Sequence, residues 1–150
     1  MKKCLLSILL LLLMLKSYQQ SFEGNWYTFD KKGNKESMVN LYIAEDGLLY
    51  GKVAKLYDTK TGEEIASKIC KKCDGEYKNA DLVGLPILRG LSYNKEENFY
   101  HGKKKCYTPD LNMLVDVKVR LDEKNQDILY IRGSIAFISE TRSWQRVVPE

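Results

Sequence analysis

The chain has 150 residues, 24 of them basic and 20 acidic, with one histidine and four cysteines. That length supplies one domain with a single core and too little for two comfortable ones. Lys2, Lys3 and Lys16 carry the charge surplus; without them 21 basic residues face 20 acidic ones, a balance that excludes electrostatic nucleic-acid binding, which needs a concentrated basic surface.

The amino terminus reads as a leader. Met1-Lys2-Lys3 is followed by a leucine-dominated apolar run over 4–15 and then by Lys16 and polar residues up to Ser21, the layout of a secretory signal peptide. A membrane-spanning helix needs roughly 20 apolar residues, so an uncleaved anchor is the weaker reading. Lipoprotein processing needs a cysteine just after the apolar run, and Cys4 stands at its start. Cleavage is expected near Gln19 or Gln20, which assigns 1–19 to the signal peptide and 20–150 to the exported domain. The expected location is periplasmic or extracellular, with no stable membrane span after cleavage.

Beyond the leader, no helical pattern lasts three turns, and short alternating segments separated by glycine, asparagine and aspartate recur. This is an all-β rhythm. Strands are expected at 25–29, 39–43 and 48–57, the last two joined by a tight turn at Glu45-Asp46-Gly47, where aspartate and glycine tolerate positive φ. The stretch 58–98 breaks the rhythm. It holds Cys70-Lys71-Lys72-Cys73-Asp74-Gly75 and an apolar island over 82–88, and it reads as a long structured loop packed over one end of a barrel. The island is either a short strand or a turn of helix begun by Pro86. Further strands are expected at 99–107, 114–121, 128–137 and 141–148. The clearest is 114–121, where Val115, Val117, Val119 and Leu121 alternate with Asp116, Lys118 and Arg120. The lysine runs at 71–72 and 103–105 read as solvated edges or loops, and no ligand is assigned to them.

Gly24-Asn25-Trp26 opens the first strand and Trp144-Gln145-Arg146 lies on the last. If a barrel closes its first strand on its last, the tryptophan of one plugs the end and the arginine of the other stacks on it, a contact of about 0.5 to 2 kcal/mol. A core tryptophan at a strand start is the plainer reading. The G-x-W start followed by up-and-down strands resembles the lipocalins and their calycin relatives.

A closer resemblance rests on an ordered set of motifs: Gly24-x-Trp26, Leu49-Tyr50-Gly51-Lys52-Val53, Cys70-x-x-Cys73-Asp74-Gly75, Val83-Gly84-Leu85-Pro86-Ile87-Leu88, Gly102-Lys103, Arg132-Gly133 and Trp144-x-Arg146. With these the chain resembles the secreted bacterial family called domain of unknown function 2147. The resemblance implies export and a single antiparallel up-and-down β-barrel of about eight strands, and it brings no activity. The chain departs from the family pattern at Thr108-Pro109, where relatives tend to have Asp-Pro, at Val115, where they have tyrosine, and at Ser139-Glu140-Thr141, where they have a Gly-Arg-Thr run.

The cysteines allow more than one pairing. A Cys70–Cys73 bridge closes a short loop worth about 2 kcal/mol on the chain-entropy model, and a bridge from either to Cys106 is worth nearer 4 kcal/mol. The favoured reading is a structural Cys70–Cys73 disulfide pinning the long loop. Zinc is disfavoured because a four-ligand site would have to bring together all three cysteines beyond the leader and the only histidine, His101. A redox dithiol normally sits at a helix N-terminus, and no helical pattern follows Gly75.

No nucleophile elbow, phosphate loop or paired histidines are present, so catalysis and cofactors are not expected. The expected function is binding of a small apolar or amphipathic molecule inside the barrel, for which the ten tyrosines suit a ligand with both apolar and polar parts. The alternative is a structural or protein-interaction module of the cell envelope that uses the 82–88 island as an exposed patch, its partner unspecified. A thiol redox protein comes third.

Overall fold

The segments of period-two alternation become strands in the computed structural model, which describes residues 21–148; the leader expected at 1–19 and its cleavage point lie outside the described residues. The strands are β1 (Gly24–Phe29), β2 (Lys35–Ile43), β3 (Leu49–Tyr57), β4 (Glu64–Ile65), β5 (Pro86–Asn94), β6 (Phe99–Thr108), β7 (Met113–Leu121), β8 (Ile128–Ile135) and β9 (Ile138–Arg146), with one turn of 3-10 helix at Gly75–Tyr77. Eight of them form a closed antiparallel ring in the order β1, β2, β3, β5, β6, β7, β8, β9 and back to β1, and β4 is an extra strand on β3 alone. Among the described residues no helix is long and apolar enough to cross a membrane.

The stretch 58–98 differs from its expectation. Residues 86–94 form a full barrel strand between β3 and β6, so the loop ends at residue 85. The island is no exposed patch: Leu88 is fully buried and Leu85 nearly so. The cysteine-bearing insert does not lie across the end of the barrel. It packs on the outer wall, because it covers Tyr107, whose ladder partner Leu114 alternates with the inward-facing Val115. The last strand also starts three residues earlier than its pattern suggests.

Opposed residues in an antiparallel ladder share a face, so the interior can be read from register. At one end, here the base, Leu121, Leu129 and Trp144 form one row and Trp26, Val39 and Val53 another. Leu41, Gly51 and Leu88 form a third, and Gly51 is required there: a Cβ would lie 2.7 Å from Leu41 Cδ2 and 3.3 Å from Leu88 Cβ. These side chains, with Leu49, Leu91 and Val119, fill the base solidly. The opposite end, the mouth, carries the β1–β2, β6–β7 and β8–β9 turns, and its β1–β2 side is polar: Thr28 and Ser37 face each other with their hydroxyls 2.7 Å apart, while Val115 and Cys106 line the β6–β7 side.

Candidate functional site

The ring is weakest between its first and last strands. β1 and β9 pair only at Trp26 with Arg146 and Tyr27 with Gln145. Beyond Tyr27, β1 stays with β2 while β9 stays with β8. The separation leaves a slot of about 580 Å³ between the β1–β2 turn and β9, bordered by Phe29, Asp30, Lys31, Glu140, Arg142 and Ser143 among others.

Arg142 lies on the inward face of β9, two residues before Trp144, in a row with Ile131 and Val119. Glu140 follows on the same face, and its Oε1 accepts hydrogen bonds from Arg142 Nε at 3.1 Å and pairs with Nη2 at 3.0 Å. A second carboxyl, Glu36 on β2, is half-buried; burial raises its pKa above the ordinary glutamate value, Arg142 pulls it partly back, and Asp110 and Asp30 raise it further. Asp30 is itself engaged. Its carboxylate accepts hydrogen bonds from Asn34 and from the Lys32 amide, which hold its pKa below the usual range and fix the turn. The slot therefore offers one guanidinium flanked by carboxylates and an aromatic edge from Phe29. That set can orient a polar group by hydrogen bonds and ionic contact. Among the described residues, no cluster of His, Cys, Asp or Glu is arranged to hold a metal.

Glu36, near the slot, and Arg142, on its border, were not singled out from sequence, and Glu140 was named only within the Ser139-Glu140-Thr141 departure from the family pattern. A signal existed: counting back by twos from Trp144 puts 142 and 140 on the same inward-pointing face.

The residues that sequence did single out meet in two other places. Arg146 stacks on Trp26 with its Cζ 4.2 Å from the ring centroid. Its guanidinium also donates to the carbonyls of Glu23, Ser21 and Gln126 and to Asp127 Oδ1. Trp26 is fully buried and donates its indole N–H to the Phe22 carbonyl at 3.0 Å, while Trp144 is buried in the same core. Gly24 takes a φ of 117°, and a Cβ there would sit 3.5 Å from Arg146 Nη1. The two strand ends thus close the base, away from the slot.

Cys70 and Cys73 form a disulfide with their Cα atoms 5.4 Å apart. Both are buried with Leu85 and Tyr107 in a small second core. Asn112 fastens this insert to the barrel: its side chain bonds both the amide and the carboxylate of Asp74, and it accepts from the Tyr107 hydroxyl at 2.8 Å. Arg89 on β5 lies over the rings of Tyr77 and Tyr107. Cys106 faces inward opposite Val115, away from the pair, and burial pushes its thiol pKa up to about 12, so it stays protonated and unreactive. His101 is on the outer face of β6, its ring 5.6 Å from that of Phe99.

Comparison with known proteins agrees with this architecture. Protein HP1028 from the human pathogen Helicobacter pylori, whose structure is described as belonging to the lipocalin family, is similar at 18% identity and a TM-score of 0.66, over 85% of this chain and 84% of that one. At that identity the likeness shows the fold alone. No curated protein matches the sequence. The model of a family described as uncharacterized protein conserved in bacteria matches residues 24–146. That span runs from the glycine of the first strand to the arginine stacked on its tryptophan, the whole closed ring, and the chain belongs to this family, domain of unknown function 2147.

Proposed function

We propose that the protein is an exported, non-enzymatic binding barrel that holds a small amphipathic molecule in the slot between β1 and β9. One observation carries this reading: the β1–β9 ladder stops after two residue pairs and leaves an inward-facing arginine lining a space of ligand size. The solid base narrows the ligand class. A long apolar molecule has no room along the axis past Trp26, Leu41, Leu49 and Leu129, so the ligand sits at the mouth with its polar end on Arg142 and its apolar part against Phe29. Export is supported by the leader-like start of the sequence and by a disulfide, a bond that persists in oxidising compartments.

The test is native mass spectrometry of protein purified from its own host, beside an Arg142→Ala variant prepared identically. The expected result is a retained small-molecule mass on the wild type that is lost or strongly depleted on the variant. Wild-type protein that carries no such mass from any host growth phase would exclude the reading.

A further inference from the structure

A second concave surface shares no lining residue with the slot. It is a groove of about 560 Å³ on the outer wall, crossed by β7 and bounded on one side by the β6 bulge and on the other by the β8–β9 hairpin. We propose that this hairpin and groove dock the protein on the surface of an anionic lipid bilayer.

The hairpin turn is only two residues long, with Ile135 opposite Ile138. Ala136 takes a left-handed φ of 52°, and the turn projects Phe137, 96% exposed, and Ile138, 69% exposed. A phenylalanine this exposed at the tip of a β-turn contributes nothing to the core. Beside it, continuing the β7–β8 register, lie the exposed Met113 and Leu114 at the start of β7. Behind the apolar tip stand the cations: Lys118 and Arg132 are ladder partners on the outer face, and Lys103 lines the same groove. The groove's single carboxylate, Asp116, already accepts the Lys104 amide at 2.8 Å. Arg132 is aimed along the hairpin by a 2.8 Å bond from Nη2 to Ser139 Oγ.

Charge sets the partner. Outside the leader the sequence is nearly balanced, yet this groove gathers three cations against one acid. An apolar tip backed by a cationic tier matches the layering of a bilayer face, acyl boundary first and phosphates above it. A protein groove that received Phe137 would have no general need for the cations behind it.

The experiment is co-sedimentation of the protein with vesicles of phosphatidylcholine alone and of phosphatidylcholine mixed with phosphatidylglycerol. Wild-type protein is expected on the mixed vesicles and not on the neutral ones, with binding that fades as salt is added. Lys118→Ala and Arg132→Ala should each weaken binding about fivefold. Phe137→Asp should weaken it about tenfold or more, while near-ultraviolet circular dichroism verifies that each variant is folded. The proposal is overturned by equal binding to both vesicles, by no binding, or by variants that fold and bind as wild type does. It is also overturned if soluble glycerophosphoglycerol displaces the protein completely, because the site would then be one for a free anion. None of these outcomes depends on what the slot between β1 and β9 holds.

Discussion

Arg146 shows how much one side chain can do when a planar fork sits on an indole. Its ion pair with Asp127 is on the surface, with the aspartate 61% exposed, and is worth little by itself. The stack on Trp26 and the three carbonyls it holds are another matter, because a guanidinium presents donors in one plane while its face covers the ring. Lysine keeps the charge and loses that geometry. Arg146→Lys should therefore cost about 1 to 2 kcal/mol, most of the loss expected for Arg146→Ala, read as a shift of the urea midpoint at unchanged slope. Full stability in the lysine variant would mean that only the charge mattered. The meeting of Trp26 and Arg146 was legible in sequence because both motifs are short, aromatic and terminal. Arg142 was not, since a charged residue in an alternating strand is read as solvent-facing unless the register of that strand is known. The polar mouth of this barrel reverses the usual rule.

At the level of elements, β7 could be read directly from its valines, whereas β5 was hidden by its own geometry. Leu88 and Leu91 both point inward and are both fully buried, yet they are three residues apart, which strict alternation forbids. A bulge at Gly90 resets the parity. Gly90 takes a φ of 72°, and a Cβ there would lie 3.1 Å from the Tyr50 hydroxyl oxygen and 3.2 Å from Leu48 Cδ1. Gly90→Ala should cost about 1 to 2 kcal/mol, backbone strain and contact together. Gly47 supplies the control. Its φ of 76° is nearly the same, but a Cβ there meets nothing within 4 Å, so Gly47→Ala should show the backbone component alone. A larger loss at Gly90 in chemical denaturation assigns the difference to the tight approach of β3; equal losses would show that the neighbours yield freely. In β6 the strand itself was legible, expected over 99–107 and found at Phe99–Thr108, but nothing in Lys103-Lys104-Lys105 marks the bulge that resets the parity between Gly102 and Cys106.

Across the whole molecule, the two ends of the ring are built from different material, and this difference sets where the barrel opens. The base is packed with leucine, valine and two tryptophans from both chain ends. The mouth carries Thr28, Ser37 and the half-buried Glu36, whose burial costs desolvation, beside the more exposed pair Glu140 and Arg142, and these polar contacts hold the strands together weakly. A ring of antiparallel ladders resists opening only as well as its least paired seam, and here the seam has two pairs where the neighbouring β8–β9 ladder has eight. Native-state hydrogen exchange should therefore divide the chain by seam rather than by strand. Amides of β7, flanked on both sides along most of its length, should exchange only by global unfolding. Those of residues 28–29 and 140–143 that are not bonded to β2 or β8 should exchange by local opening, with rates insensitive to denaturant. If protection is instead uniform from β1 through β9, the slot is a fixed surface feature and the ring has no preferred place to part. If the seam alone is labile, the same missing ladder that leaves Arg142 reachable also supplies the movement that the proposed binding requires.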